Sequence, residues 1–117
     1  MAGAGARDVA YGNYMGSGRA CYGMLTITSR AVTWMTPLSQ CGTSPYSVHD
    51  RQEGADGIRI TYQLTRPSAK CLFRIVVLTH NASDDMGIGW NVVGYPSLED
   101  VIQNRVGDAL GCYLYRH

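Results

Sequence analysis

The sequence predicts a mainly β domain with one short helix, built as a strongly bent antiparallel sheet or a small barrel of six to eight strands. Three observations lead to that class. Several segments alternate apolar and polar side chains with a period of two, separated by turn residues. Only the segment 97–106 carries the spacing of an amphipathic helix. Four cysteines, Cys21, Cys41, Cys71 and Cys112, are too far apart for local pairs and suit bridges across a small sheet. A two-sheet sandwich is the alternative architecture.

The elements follow in order. Residues 1–18 are rich in glycine and small side chains and show no period, which predicts a flexible N-terminal arm ahead of a single β-rich domain over 19–117. Tyr11, Tyr14 and Met15 are the large apolar side chains of that arm. The run 22–28 alternates, with Leu25 and Ile27 on one face and Met24, Thr26 and Thr28 on the other. Ser29-Arg30 makes a turn, and 31–35 returns with Val32 and Trp34 on a shared face. Thr36-Pro37 ends this hairpin, because proline has no N–H for the ladder. The stretch around Cys41 to Pro45 reads as a loop, and 46–48 as a short edge strand.

Gln52 to Gly57 is polar with two glycines and reads as a turn. Ile58, Ile60, Tyr62 and Leu64 then alternate with Arg59, Thr61, Gln63 and Thr65, the pattern of a strand with one wet face. The run 71–79 is apolar on both faces, which predicts a strand covered on both sides. After a polar loop over 80–86, residues 88–95 form another strand, with Trp90 and Val92 around Asn91. Ser97 is a helix N-cap with Asp100 at the third helical position. Leu98, Val101, Ile102 and Val106 form the apolar stripe of that helix, and Gly107 is its stop. The last strand, 110–115, turns Leu110, Cys112 and Leu114 inward and Tyr113 and Tyr115 outward.

Charge and cysteine usage bound the function. Charged residues are 16% of the chain and the formal net charge is +1, a balance that argues against a basic face for nucleic acid and against a polybasic membrane patch. No apolar run reaches the ~20 residues of a membrane-spanning helix. The cysteines lack the C-x-x-C spacing of zinc or redox motifs, and an even count in a short chain points to disulfides and an oxidising compartment. Three pairings exist; we favour Cys41–Cys71 with Cys21–Cys112, the second tying the first strand to the last. Met1 is followed by Ala2-Gly3-Ala4-Gly5-Ala6, without the charged and apolar regions of a signal peptide; the expectation is a mature chain with an added initiator methionine.

No catalytic motif stands out. His49-Asp50 and His80 with Asp84-Asp85 would form a metal or acid–base site only if the fold joined their loops. Asn81, Ser83, Asp84 and Asp85 supply oxygen atoms of the kind calcium takes, without the twelve-residue loop that holds it. Glu53, Asp56, Asp84, Asp85, Glu99 and Asp100 are the carboxylates from which a glycosidase pair would be drawn, and all read as solvated turn or helix charges. No serine occupies a nucleophile elbow. Asn81-Ala82-Ser83 matches a glycosylation sequon. The expectation is therefore a chain with no cofactor, no metal and no catalytic residues. Eight tyrosines and two tryptophans against one phenylalanine suit interfaces, which makes Tyr113, Tyr115, Trp34 and Trp90 the candidate binding surface.

The run Gly23-Met24-Leu25-Thr26-Ile27-Thr28, continued by Val32-Thr33-Trp34, alternating strands and separated cysteines, resembles small secreted or periplasmic bacterial β-barrels of the calycin-like kind. These include envelope proteins and, more distantly, lysozyme inhibitors. The resemblance implies a small extracytoplasmic domain that acts by binding, and it carries no functional residue with it. The expected function is a non-enzymatic envelope or secreted domain, monomeric or weakly dimeric, that binds a small apolar ligand or a protein partner or stands exposed at the surface as an antigen. The alternatives are an inhibitor inserting the loops 37–45 or 80–87 into an enzyme cleft, and a small hydrolase or metal-dependent enzyme built on His49 and His80.

Overall fold

The computed structural model describes residues 8–83 and 89–116. Nine strands and one helix follow one another: β1 (Gly12–Gly16), β2 (Gly23–Ile27), β3 (Val32–Met35), β4 (Gln40–Ser44), β5 (Tyr46–Gly54), β6 (Gly57–Leu64), β7 (Ile75–Asn81), β8 (Gly89–Tyr95), α1 (Leu98–Ile102) and β9 (Leu110–Arg116). All pairings are antiparallel, in the order β4-β3-β2-β1-β9-β8-β7-β6-β5.

The two ends of that order are joined by the single residue Pro45, so Gln40–Gly54 is in effect one long strand bent at its middle. Its first half pairs with β3 and its second half with β6, which brings the sheet round into a nearly closed barrel. Proline suits the bend because its missing N–H falls between the two ladders. Its carbonyl accepts from Thr65 N at 2.9 Å and from the Thr65 hydroxyl at 3.1 Å. The remaining edge of β4 is covered by the segment 66–72. Gln40 N donates to the Lys70 carbonyl, Gly42 N to Ser68 Oγ, and Cys41–Cys71 fastens the two together. Among the described residues no strand pairs with the outer edge of β5, which carries His49, Asp50, Arg51 and Glu53 and a bulge between Val48 and Asp50, features that discourage pairing with another chain.

Inward positions follow the predicted alternation. Leu25, Ile27, Val32, Trp34, Ile60, Tyr62, Leu64, Trp90, Val92 and Leu114 are all at most 2% exposed and fill the barrel. Strand β7 is apolar on both faces, as predicted. Val76 and Leu78 join the interior, while Ile75 and Val77 lie outside beneath Leu98 and Val101 of α1 and beside Tyr95. The helix therefore covers a flank of the barrel. Thr61, expected on a wet face, is buried there too.

Both disulfides take the predicted pairing, Cys21–Cys112 and Cys41–Cys71. Four expectations need correction. Among the described residues there are nine strands rather than six to eight. Gly12–Gly16, within the segment read as a flexible arm, is a strand paired with β2 on one edge and β9 on the other, with Tyr14 fully buried; its glycines concealed the period. Gln40–Ser44, read as loop, is a strand whose bulge and small side chains erase the alternation. The edge strand β5 runs through the polar residues to Gly54, because an edge facing solvent needs no apolar face.

The helix is also shorter than 97–106. Its start is as predicted: Ser97 Oγ accepts from Asp100 N at 3.3 Å. It ends at Asn104 rather than Gly107. Asn104 takes the left-handed conformation (φ 53°), Asn104 N donates to the Val101 carbonyl and Arg105 N to the Asp100 carbonyl. This is the Schellman arrangement, with asparagine in the glycine position. Ile102 and Val106 are consequently exposed rather than part of a buried stripe.

Candidate functional site

Two surfaces concentrate the side chains capable of recognition. The first is the barrel mouth at the start of β1. Residues 8–11 cross this mouth as a strap, with Ala10 fully buried at the centre. Asp8 accepts both Nη atoms of Arg51 on β5, and its carboxylate also accepts from Ala10 N at 3.0 Å. Arg51 in turn holds Glu53 Oε1. On the other side, Arg116 at the end of β9 donates through Nη2 to the carbonyls of Val9 and Tyr11. Its guanidinium carbon lies 5.4 Å from the ring centre of Tyr14 and 5.2 Å from that of Trp90.

Beneath the strap the barrel is lined by aromatic groups with polar tips. Tyr14 Oη donates to the Ala10 carbonyl at 2.5 Å. Tyr46 Oη donates to the Thr28 carbonyl at 2.7 Å, beside the Tyr11 hydroxyl, and its ring meets Tyr62 edge-on at 4.9 Å. Trp90 is edge-on to Tyr14 and stacked with His80 at 4.5 Å. The His80 ring is fixed by Nδ1 against the Gly89 carbonyl at 2.7 Å. Two polar atoms in this layer, Tyr62 Oη and Trp90 Nε1, are fully buried and have no hydrogen-bond partner among the described residues. A groove of 630 Å³ runs along the outer side of the strap, lined by Asp8, Tyr11, Asn13, Thr26, Ser29 and Arg116 among others.

Electrostatics reinforces the closure. Hydrogen bonding to Arg51 holds the Asp8 carboxyl below its ordinary value despite the opposing effect of burial, and Ala10 N and Arg116 add to the lowering. Burial pushes the Tyr14 hydroxyl up to about 12 against the pull of Arg116. It does the same to Tyr46, at about 12, with help from Tyr11 and Asp8, and raises Tyr62 further still, again with Asp8 contributing. The tyrosines are therefore neutral hydroxyls at physiological pH, able to donate a hydrogen bond but not to act as bases.

The second surface is the outer face of β9, β1, β2 and β3. Register places Tyr115 opposite Met15, Met15 opposite Met24 and Met24 opposite Met35. Tyr113 meets Tyr115 edge-on at 5.2 Å on the same strand. Tyr113, Tyr115, Met24 and Met35 are 38–50% exposed, which makes a continuous apolar row across four strands. A polar row runs beside it: Thr26 donates to Asn13 Oδ1 at 2.9 Å, and the hydroxyls of Thr33 and Thr43 lie 2.9 Å apart.

Of the four aromatic residues expected on one binding surface, Tyr113 and Tyr115 are exposed outside, whereas Trp34 and Trp90 are each 1% exposed inside the barrel. The odd–even geometry of strands separates them: the inner face of a small barrel must be filled, and tryptophan fills it. Trp34 stacks on Phe73 at 5.5 Å, and Trp90 forms the floor of the mouth.

His49 and His80 are not brought together. His49 sits in the β5 bulge beside the groove under α1, while His80 pairs with Ile58 on the β6 strand and faces Trp90. Among the described residues, no three of His, Cys, Asp and Glu are grouped as metal ligands. Glu53 is paired with Arg51, and Glu99 and Asp100 with Arg105. Asp84 and Asp85 lie outside the described residues.

Sequence reasoning missed Asp8, Arg51, Tyr62 and Arg116 as parts of one site, since they are spread over the whole chain. The excess of tyrosine over phenylalanine was the available signal. No described helix is long and apolar enough to cross a membrane. Comparison with protein-family models, with curated proteins and with solved structures finds no significant match for this barrel.

Proposed function

We propose that this chain is a secreted or periplasmic bacterial domain, without catalytic activity, that binds a protein partner through the outer face of β9, β1, β2 and β3. The observation that carries this reading is the in-register row Tyr115–Met15–Met24–Met35, exposed at Tyr115, Met24 and Met35 and half-buried at Met15, with Tyr113 beside it. Tyrosine and methionine give large contact area, and methionine adapts to the shape of what it meets. Side chains filling the barrel below its mouth favour an external protein partner over an apolar cargo enclosed in the lumen. Two disulfides and no free cysteine among the described residues support an oxidising compartment.

The test is capture from an extracytoplasmic extract of the source cells, with wild-type protein and the double variant Met24→Glu/Tyr115→Glu as parallel baits. The expected result is a protein retained stoichiometrically by the wild type and lost from the variant. Identical retained proteins on both baits would remove the face from the function. The variant is a fair control because both side chains are exposed; substitutions of this kind usually change stability by less than about 0.5 kcal/mol.

A further inference from the structure

We infer that the mouth beneath residues 8–11 is a binding site for a small carboxylate with an apolar body, and that the strap occupies it as a tethered substitute for that ligand. This site is separate from the outer face and does not depend on it.

The strap supplies what a carboxylate would supply. Its two carbonyls, of Val9 and Tyr11, accept from Arg116, and its Asp8 carboxylate accepts from Arg51. Ala10 fills the apolar space between them. Lifting the strap would leave the Arg116 guanidinium with its Nη2 donor free, over the faces of Tyr14 and Trp90. Among the described residues, Arg51 would keep Glu53 as counter-charge. The vacated layer is rich in donors: two guanidinium groups, the Tyr14 hydroxyl released from Ala10, and the buried Tyr62 Oη and Trp90 Nε1 that no protein atom satisfies.

Those last two groups make the case specific. A buried polar atom without a partner is destabilising, and folded proteins rarely leave one. Here two occur in one aromatic layer. The Tyr62 ring meets Tyr46 edge-on at 4.9 Å and belongs to the same buried cluster as Ala10 of the strap. Trp90 lies against Tyr14 and under Arg116. Donors and cations in an aromatic, water-excluding layer select an anion with an apolar body. A carboxylate accepts from several N–H and O–H groups at once, and Arg binds it through paired donors.

The strap's grip lowers the apparent affinity by the fraction of molecules in which it is lifted. The experiment uses the full chain and benzoate as probe, with benzyl alcohol as the uncharged control. The readout is the pair of tryptophan indole N–H resonances in NMR. In the wild type, benzoate should move the Trp90 indole signal and leave that of Trp34 in place. Asp8→Asn weakens the strap and should tighten benzoate binding by about fivefold. Arg116→Gln should abolish the shift. Tyr62→Phe removes one unsatisfied hydroxyl without touching the strap; it keeps the fold testable if the arginine variant does not fold, and should weaken benzoate binding. An unmoved Trp90 signal in Asp8→Asn at millimolar benzoate would overturn the proposal. So would an equal response to benzyl alcohol, or unchanged benzoate binding in Tyr62→Phe.

Discussion

Single side chains decide how the mouth is held. Asp8 is the clearest case. Its folded-state carboxyl lies below the ordinary value, chiefly through hydrogen bonding to Arg51, so its stabilisation is present above the unfolded value of about 3.9 and is lost as pH falls through the folded value. Asp8→Asn should therefore lower stability by about 1 kcal/mol at neutral pH, modest because Arg51 is partly exposed. The difference from wild type should stay constant between about pH 5 and 8 and shrink below about pH 4. Chemical denaturation of both proteins across that range checks it; a difference that persisted unchanged in acid would deny the ion pair its role. Tyr62 makes the opposite kind of prediction. Its hydroxyl is buried without a protein partner, so Tyr62→Phe should leave the thermal midpoint unchanged or raise it. A clear fall would mean that the hydroxyl is satisfied in solution.

At the level of elements, local chemistry and packing divide the work. The helix is only Leu98–Ile102, too short to persist by itself, and it is held by its caps and by the contact of Leu98 and Val101 with Ile75, Val77 and Tyr95. Ser97→Ala should cost about 1 kcal/mol through loss of the bond to Asp100 N, read as a shift of the denaturation midpoint. Strand β8 depends on a glycine for a different reason. A Cβ at Gly94 would lie 2.6 Å from the Phe73 ring and 2.8 Å from Trp34, so the two stacked rings close over bare backbone. Gly94→Ala should destabilise by about 1–3 kcal/mol, the ordinary effect of overpacking, and change the near-ultraviolet signature of Trp34. An unaltered midpoint would show that the stack can slide.

For the molecule as a whole, closure is the governing feature. Cys21–Cys112 ties the approach to β2 to β9, and Cys41–Cys71 fastens the seam where the bent strand leaves β3 for β6. Their sequence separations of 91 and 30 residues mean that each removes considerable freedom from the unfolded chain. Removing either bridge by paired serine substitution should cost about 2–5 kcal/mol, with the longer loop at the upper end in the chain-entropy account. Equal midpoints with and without reductant would show that closure rests on the ladders alone. Loss of the seam bridge should also expose the β4 edge and favour association, visible as an increase in sedimentation coefficient.

The sequence by itself determined the β class, the inward side chains of β2, β3, β6, β8 and β9 and the helix start at Ser97. Each of these rests on chemistry within a few residues; for the four cysteines the sequence left three pairings, and the structure chose the favoured one. Only the tertiary structure decided that Tyr14 turns a glycine-rich arm into a central strand, that Pro45 bends one long strand into two ladders, and that Trp34 and Trp90 face away from Tyr113 and Tyr115. It alone brought Asp8, Arg51, Tyr62 and Arg116 to one mouth. A pattern of period two tells which side chains share a face, but not which end of a barrel they reach. That depends on register and on where the sheet closes, and both are properties of contacts between residues far apart in the chain.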